Sequence, residues 1–237
     1  MTFKATYLGS NGWIVEFNNT RIIIDPWLKG DLIFPLGGWF FKGILENEIP
    51  TPENIDLILL TQGLPDHCHE PTLKLFPKEI EIITPKSAIK ILKNLGFKSI
   101  NTIEPGQKLN LKYLSIEATA GAPVPNIENG YIVENDTGGF YIEPHGFFDE
   151  KIIPRKLDVV ITPTKNLDLP LVGPFVKGAE VIPKLIKAFE PEYILSSTIG
   201  GKAKFSGFLN KFISVKEFEE ALSCKLIDLN TLESINI

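Results

Sequence analysis

The ten residues Thr61-Gln62-Gly63-Leu64-Pro65-Asp66-His67-Cys68-His69-Glu70 gather acid, imidazole and thiol groups in one stretch, and they include two of the chain's three histidines. Carboxylate oxygen, imidazole nitrogen and thiolate sulfur are the common protein ligands of transition metals. An Asp, two His and a Cys just past an apolar run are therefore a place to hold a metal ion. Each residue also has a plainer reading. Asp66 can cap the helix that follows, and His67 can donate to a backbone carbonyl. His69 can stand exposed at the helix start. Cys68, flanked by two imidazoles, can act as a nucleophile of lowered pKa or pack inward as a small hydrophobe. The third histidine, His145, lies between Pro144 and Gly146 with two phenylalanines after it, a setting for a stacked loop histidine as much as for a ligand.

These residues depend on the elements around them. Ile55-Asp56-Leu57-Ile58-Leu59-Leu60 reads as a buried strand delivering Thr61. The chain also repeats itself. Asn11-Gly12-Trp13-Ile14-Val15-Glu16 matches Asn129-Gly130-Tyr131-Ile132-Val133-Glu134, and without a gap Ile22-Ile23-Ile24-Asp25-Pro26 meets Phe140-Tyr141-Ile142-Glu143-Pro144. Each copy predicts a β-hairpin, turning at Asn18-Asn19-Thr20 and at Asn135 to Gly139. Further strands are predicted at Glu81–Thr84, Leu111–Ala118, Leu157–Ile161 and Tyr193–Ser196. Helices are predicted at Pro71–Phe76, Lys86–Leu95, Val181–Phe189 and Val215–Leu222. The succession implies an α/β fold of two pseudo-symmetric halves, roughly 1–110 and 111–237, forming an αββα four-layer sandwich in a single domain.

Composition narrows the function. With 24 Lys and Arg against 29 Asp and Glu, the net charge is -5 and the pI near 5.4, which argues against a nucleic-acid backbone as partner. The only cysteines, Cys68 and Cys224, make no disulfide framework and point to a reducing, cytoplasmic setting. The chain shows no leader pattern, no apolar run of bilayer length and no long basic amphipathic helix for membrane anchoring.

The opening Tyr7-Leu8-Gly9 with its hairpin, Ile24-Asp25-Pro26, the strand entering Thr61, Asp66-His67 and the second hairpin together resemble the metallo-β-lactamase fold family, near its lactonase-like and phosphodiesterase-like hydrolases. The family pattern Thr-His-x-His-x-Asp-His places Gln62 and Leu64 where two ligating histidines are expected, while Asp66 and His67 match. The family's later ligands are absent near Thr119–Ala122 and Ser197–Thr198, and its bridging acid is replaced around Glu143–Gly146. The resemblance thus implies a degenerate site. A rebuilt mono-metal centre would use Asp66, His67 and His145, with Glu143 or His69 as a fourth ligand, for one divalent ion (zinc, iron or manganese). Water on such an ion loses its proton near pH 7, at a pKa of about 7. Asp66 or Glu143 would serve as general base. Asp25 would orient the metal loop through hydrogen bonds.

Two apolar segments, 31–44 and 167–176, would follow strand ends near the site. Trp39, Phe40 and Phe175 would form an apolar rim for a small-molecule substrate, unless the segments pack on each other or on a second copy in a homo-oligomer. Two functions follow: a divergent metal-dependent hydrolase of a small ester, lactone or phosphoester, or a non-catalytic binding protein that kept the fold and lost the metal.

Overall fold

The computed structural model describes residues 3–17, 19–123, 127–170, 173–218 and 222–237. They form two compact units: Met1–Thr102 with Gly200–Phe212 and Leu229–Ile237, and Ile103–Ile199 with Ile213–Asp228.

In the first unit, β1 (Phe3–Gly9), β2 (Gly12–Phe17) and β3 (Thr20–Ile24) make an antiparallel meander. Short strands β4 (Leu32–Ile33) and β5 (Lys42–Leu45) follow, and join β17 (Ala203–Ser206) in a small antiparallel sheet. The main sheet continues in parallel through β6 (Leu57–Leu59), β7 (Glu81–Thr84) and β8 (Ile100–Thr102), with β20 (Ser234–Asn236) beside β1. Ile22, Ile23 and Ile24 are consecutive and all buried, as are Leu57, Ile58 and Leu59. Strands covered on both faces read as unbroken apolar runs, which is why these were legible. On one face Ile14, Ile23, Ile58 and Ile82 pack with Leu73, Phe76, Ala88 and Leu92. The last four come from or flank α1 (Glu70–Leu73) and α2 (Ile89–Asn94). Each such side chain contributes about 1.5–3 kcal/mol by leaving water.

The second unit orders its main sheet in the same sense. Strands β9 (Lys108–Asn110), β10 (Ser115–Pro123), β11 (Ile127–Asn135) and β12 (Gly138–Ile142) are antiparallel neighbours. β13 (Val159–Thr162), β16 (Tyr193–Ser196) and β19 (Lys225–Ile227) then add in parallel. β14 (Asn166–Leu169), β15 (Gly173–Lys177) and β18 (Ser214–Lys216) form a separate antiparallel sheet. Helix α3 (Gly178–Phe189) lays Val181, Ile182, Leu185 and Phe189 against Ile132, Tyr141, Val160 and Ile194. The sequence match between the hairpins is a match of register: Trp13 faces Ile24 as Tyr131 faces Ile142.

The α/β class is as expected, with mixed sheets and few helices. Three local expectations are corrected. Val215–Leu222 does not begin as a helix, because Ser214–Lys216 pairs with Asn166–Asp168 and Val215 stands opposite Leu167; positions 219–221 lie outside the described residues. The strand expected from Leu111 starts at Ser115, since Leu111 to Leu114 closes a turn. The apolar segments 31–44 and 167–176, expected as loops, carry short strands as well: β4 and β5 with turns between them in the first, β14 and β15 in the second; Leu171 and Val172, like the turn residue Asn18, lie outside the described residues.

Candidate functional site

In the first unit the parallel pair β3 and β6 ends together, so Asp25 and Thr61 emerge side by side. The Thr61 N–H donates to Asp25 Oδ1 at 2.9 Å, and the Thr61 hydroxyl donates to Asp25 Oδ2. His67 Nδ1 lies 2.8 Å from Asp25 Oδ2 and 2.9 Å from the Thr61 hydroxyl. Its other nitrogen, Nε2, faces Asp66 Oδ2 at 3.3 Å. Asn11 Nδ2 donates to the Asp66 carbonyl and carboxylate, each at 3.3 Å. Asp25 and His67 are fully buried, and Asp66 keeps 14% of its side chain exposed. Burial opposes charge on His67, but Asp66 and Asp25 together outweigh it and hold its pKa well above the usual value. Burial likewise raises the Asp25 carboxyl, against the pull of His67 and Thr61. Asp25 orients the ring through hydrogen bonds, the arrangement its expected role requires.

In the second unit the hairpin of β11 and β12 builds a second cluster. Tyr131 faces Ile142 in the last pair of the hairpin. Glu128 precedes Tyr131 on β11, and Glu143 and His145 follow Ile142 past the end of β12. His145 Nδ1 is 2.8 Å from Glu128 Oε2. One ligand atom from each of the three residues lies within 4.8 Å of the others. Glu128 and Glu143 are buried, whereas His145 keeps 16% exposure. Glu143 accepts from the His145 N–H at 3.2 Å and from the Phe147 N–H at 2.7 Å. This turn needs Gly146: its φ is +72°, and a Cβ there would sit 2.5 Å from the Gly178 nitrogen. Burial, reinforced by Glu128, pushes the Glu143 carboxyl up to about 7 against the pull of His145 and the two N–H groups. Beneath Glu143, Gly130 leaves room for the Thr119 and Tyr141 hydroxyls, which a Cβ would meet at 2.5 and 3.0 Å.

The remaining candidates fall as follows. His69 is buried rather than exposed at the helix start, because Nδ1 meets the Thr72 hydroxyl at 2.9 Å and Nε2 meets the Asp31 carbonyl at 3.3 Å. Burial holds its pKa below the usual value. Cys68 belongs to the apolar core of its unit, and burial, aided by Asp25 and Glu70, pushes its thiol up to about 12. It is an inert small hydrophobe and not a nucleophile. Trp39 is 71% exposed and packs edge-on to Phe40. Ile33 and Leu36 are exposed as well, whereas Phe41 stacks on Phe205 at 5.5 Å with Phe34 beside it. Phe175 is half-buried on β15. Sequence reasoning missed Glu128, Asn11 and Thr61 as members of these clusters. The predicted hairpin carried the signal for Glu128.

Comparisons with known proteins now bear on the chain. The model of a family described as Beta-lactamase superfamily domain matches residues 4–197. A curated protein of Paracoccus denitrificans (strain Pd 1222), named UPF0173 metal-dependent hydrolase, is 26% identical over 152 residues, covering 59% of this chain and 61% of that protein. The chain thus spans about three-fifths of the length of the curated relative it matches. Among solved structures, an isothiocyanate hydrolase from Delia radicum gut bacteria superposes with a TM-score of 0.68 at 16% identity, covering 98% of each chain. The metallo-beta-lactamase fold protein YhfI from Bacillus subtilis gives 0.66 at 13% identity, covering 98% of this chain and 99% of that one. At these identities the likeness is one of fold, and it carries the sandwich-like α/β architecture. Among the described residues no helix is long and apolar enough to cross a membrane.

Proposed function

This chain belongs to the beta-lactamase superfamily, and from that membership we propose that it is a metal-dependent hydrolase using one divalent ion, zinc, iron or manganese, on a small ester, lactone or phosphoester with an apolar part. The observation that carries this reading is that each unit buries carboxylates against an imidazole just beyond its hairpin: Asp25, Asp66 and His67 in the first, Glu128, Glu143 and His145 in the second. These are the donor types such ions take. The Paracoccus relative's name supports it. Water on an ion bound to such donors ionises near neutral pH, at a pKa of about 7.

The chain's own groups have defined tasks in this reading. Asp25 fixes the His67 ring through Nδ1, which turns Nε2 toward Asp66. Asp66 and His67 in the first unit, and His145 and Glu143 in the second, are ligand candidates; His69 would have to leave its partners Thr72 and Asp31 to serve as one. Glu143, titrating at about 7, can take and return a proton at neutral pH, as a general base does. Asp66 is the other candidate base. Exposed Trp39, with Phe40 and Phe175, would supply apolar contacts to substrate. The acidic net charge favours a small-molecule substrate over nucleic acid.

A second reading, a binding protein without catalysis, is favoured by Gln62 and Leu64 at the positions of two expected histidines and by Ser197-Thr198 at another. Elemental analysis of untagged protein purified without chelator separates the two. About one equivalent of a transition metal supports the hydrolase. Trace metal that persists after incubation with zinc, iron and manganese rejects it and leaves the binding protein.

A further inference from the structure

We propose that the metal is held within the second unit by Glu128, Glu143 and His145, with Glu128 a ligand for which the family pattern has no counterpart. This rests on the reading above that the chain binds a divalent metal. Glu128 lies on β11, and Glu143 and His145 lie just past the end of its partner β12, which brings the three side chains together. Their ligand atoms approach within 4.8 Å. Ligands at about 90–120° on one ion, with bonds of about 2.0–2.2 Å, stand about 3–4 Å apart, so shifts of about an ångström or less bring them to bonding distance.

The cluster's charge also calls for a cation. Glu128 and Glu143 are at least 99% buried, and the only imidazole of the cluster faces Glu128. Two carboxylates held side by side out of water repel one another, and a dication bound between them relieves that repulsion. Two oxygens and one nitrogen suit manganese, iron or zinc.

The cluster is also held in place before any ion arrives. The His145 and Phe147 N–H groups fix the Glu143 carboxylate, and the Lys177 N–H donates to the His145 carbonyl at 2.9 Å. Gly146 provides a turn that no larger residue fits. Ligands supported in this way lose little freedom on binding.

Equilibrium dialysis of metal-stripped protein against Mn²⁺ and, separately, Zn²⁺ tests the assignment. Wild type is compared with Glu128→Gln, His145→Gln and His67→Gln, each checked for folding by circular dichroism. Losing an outer hydrogen-bond partner of a ligand costs about 10–100-fold in affinity, so Glu128→Gln and His145→Gln should each weaken both ions by about 100-fold or more. His67, a ligand candidate in the hydrolase reading, lies outside this set, so His67→Gln should stay within about threefold of wild type, and a loss as large as that of His145→Gln would overturn the assignment. Should Glu128→Gln not fold, Glu128→Asp keeps the charge, shortens the reach, and is expected to lose at least about tenfold. Wild-type binding that survives the Glu128 and His145 substitutions but not His67→Gln would overturn this ligand set while leaving the metal-dependent reading intact. A wild type that binds neither ion overturns both.

Discussion

Replacing Glu143 by Gln should stabilise the metal-free protein at pH 8 and lose that advantage as the pH falls toward 4.5. The carboxyl sits near 4.5 when free and is pushed up to about 7 in the fold, first by burial and then by Glu128. A raised carboxyl binds its proton more tightly folded than unfolded. Its contribution is therefore neutral below the unfolded value, becomes a growing penalty as pH rises from 4.5 toward 7, and is constant above. A gap of about 2.5 pH units at 1.36 kcal/mol each corresponds to a penalty of about 3 kcal/mol. The Gln oxygen can still accept from the Phe147 N–H, now 2.7 Å from Oε2, but one acceptor for the His145 N–H is lost. That loss offsets about 1 kcal/mol. The Glu143→Gln protein should thus be about 2 kcal/mol more stable than wild type at pH 8 and about 1 kcal/mol less stable at pH 4.5. Urea unfolding with chelator present, followed by circular dichroism at pH 4.5, 6 and 8, measures both curves. A stability difference that stays constant across this range would refute the account of Glu143 as a carboxyl buried at the expense of its charge.

Two further predictions concern packing. With its thiol pushed up to about 12 and its side chain in the core, Cys68 should resist a thiol reagent at pH 8 while half-buried Cys224 reacts, and both should react in denaturant; rapid labelling of both in the native protein would contradict the burial of Cys68. Gly146→Ala combines a left-handed backbone with a Cβ 2.5 Å from the Gly178 nitrogen, so it should cost about 2–4 kcal/mol, whereas Gly30→Ala, at φ +71° with open space around it, should cost about 1–2 kcal/mol. Equal losses in the two variants, read from urea midpoints, would show that the close approach at Gly146 is relieved by movement of its neighbours.

The fold was legible wherever burial leaves a continuous mark. Ile22 to Ile24 and Leu57 to Leu59 are covered on both faces and read as unbroken apolar runs. The hairpins were legible twice over, because the repeated residues keep the same register. Val215–Leu222 misled because its apolar spacing also suits a short edge strand, and pairing with Asn166–Asp168 decides the matter from far away in sequence. The clusters were half legible for a related reason. Asp66 and His67 are adjacent, so their types announce themselves. Glu128 stands in Asn126-Ile127-Glu128-Asn129, with no motif around it. Only the folding of β12 beside β11, which leaves His145 2.8 Å from its carboxylate, gives it a role. His69 was beyond reach, since its partners Thr72 and Asp31 are met only when the chain has folded.

The repeated hairpins end in an acid at the same position, Asp25 in the first and Glu143 in the second, and one methylene between them alters what each acid can hold. Asp25 is short and cannot reach past its own strand end. It accepts from Thr61, on the parallel neighbour, and its remaining capacity is taken by the His67 ring. That acid is committed to orienting an imidazole. Glu143 is longer and turns back onto its own loop, where the His145 and Phe147 N–H groups meet it. It remains beside a second buried carboxylate, Glu128, and that like charge helps raise its pKa. A site that orients an imidazole needs a satisfied acid, whereas a site that attracts a cation needs surplus negative charge. On the assignment proposed above, the first hairpin's acid supports an imidazole and the second's is a ligand, so the decisive substitutions lie at Glu128 and His145.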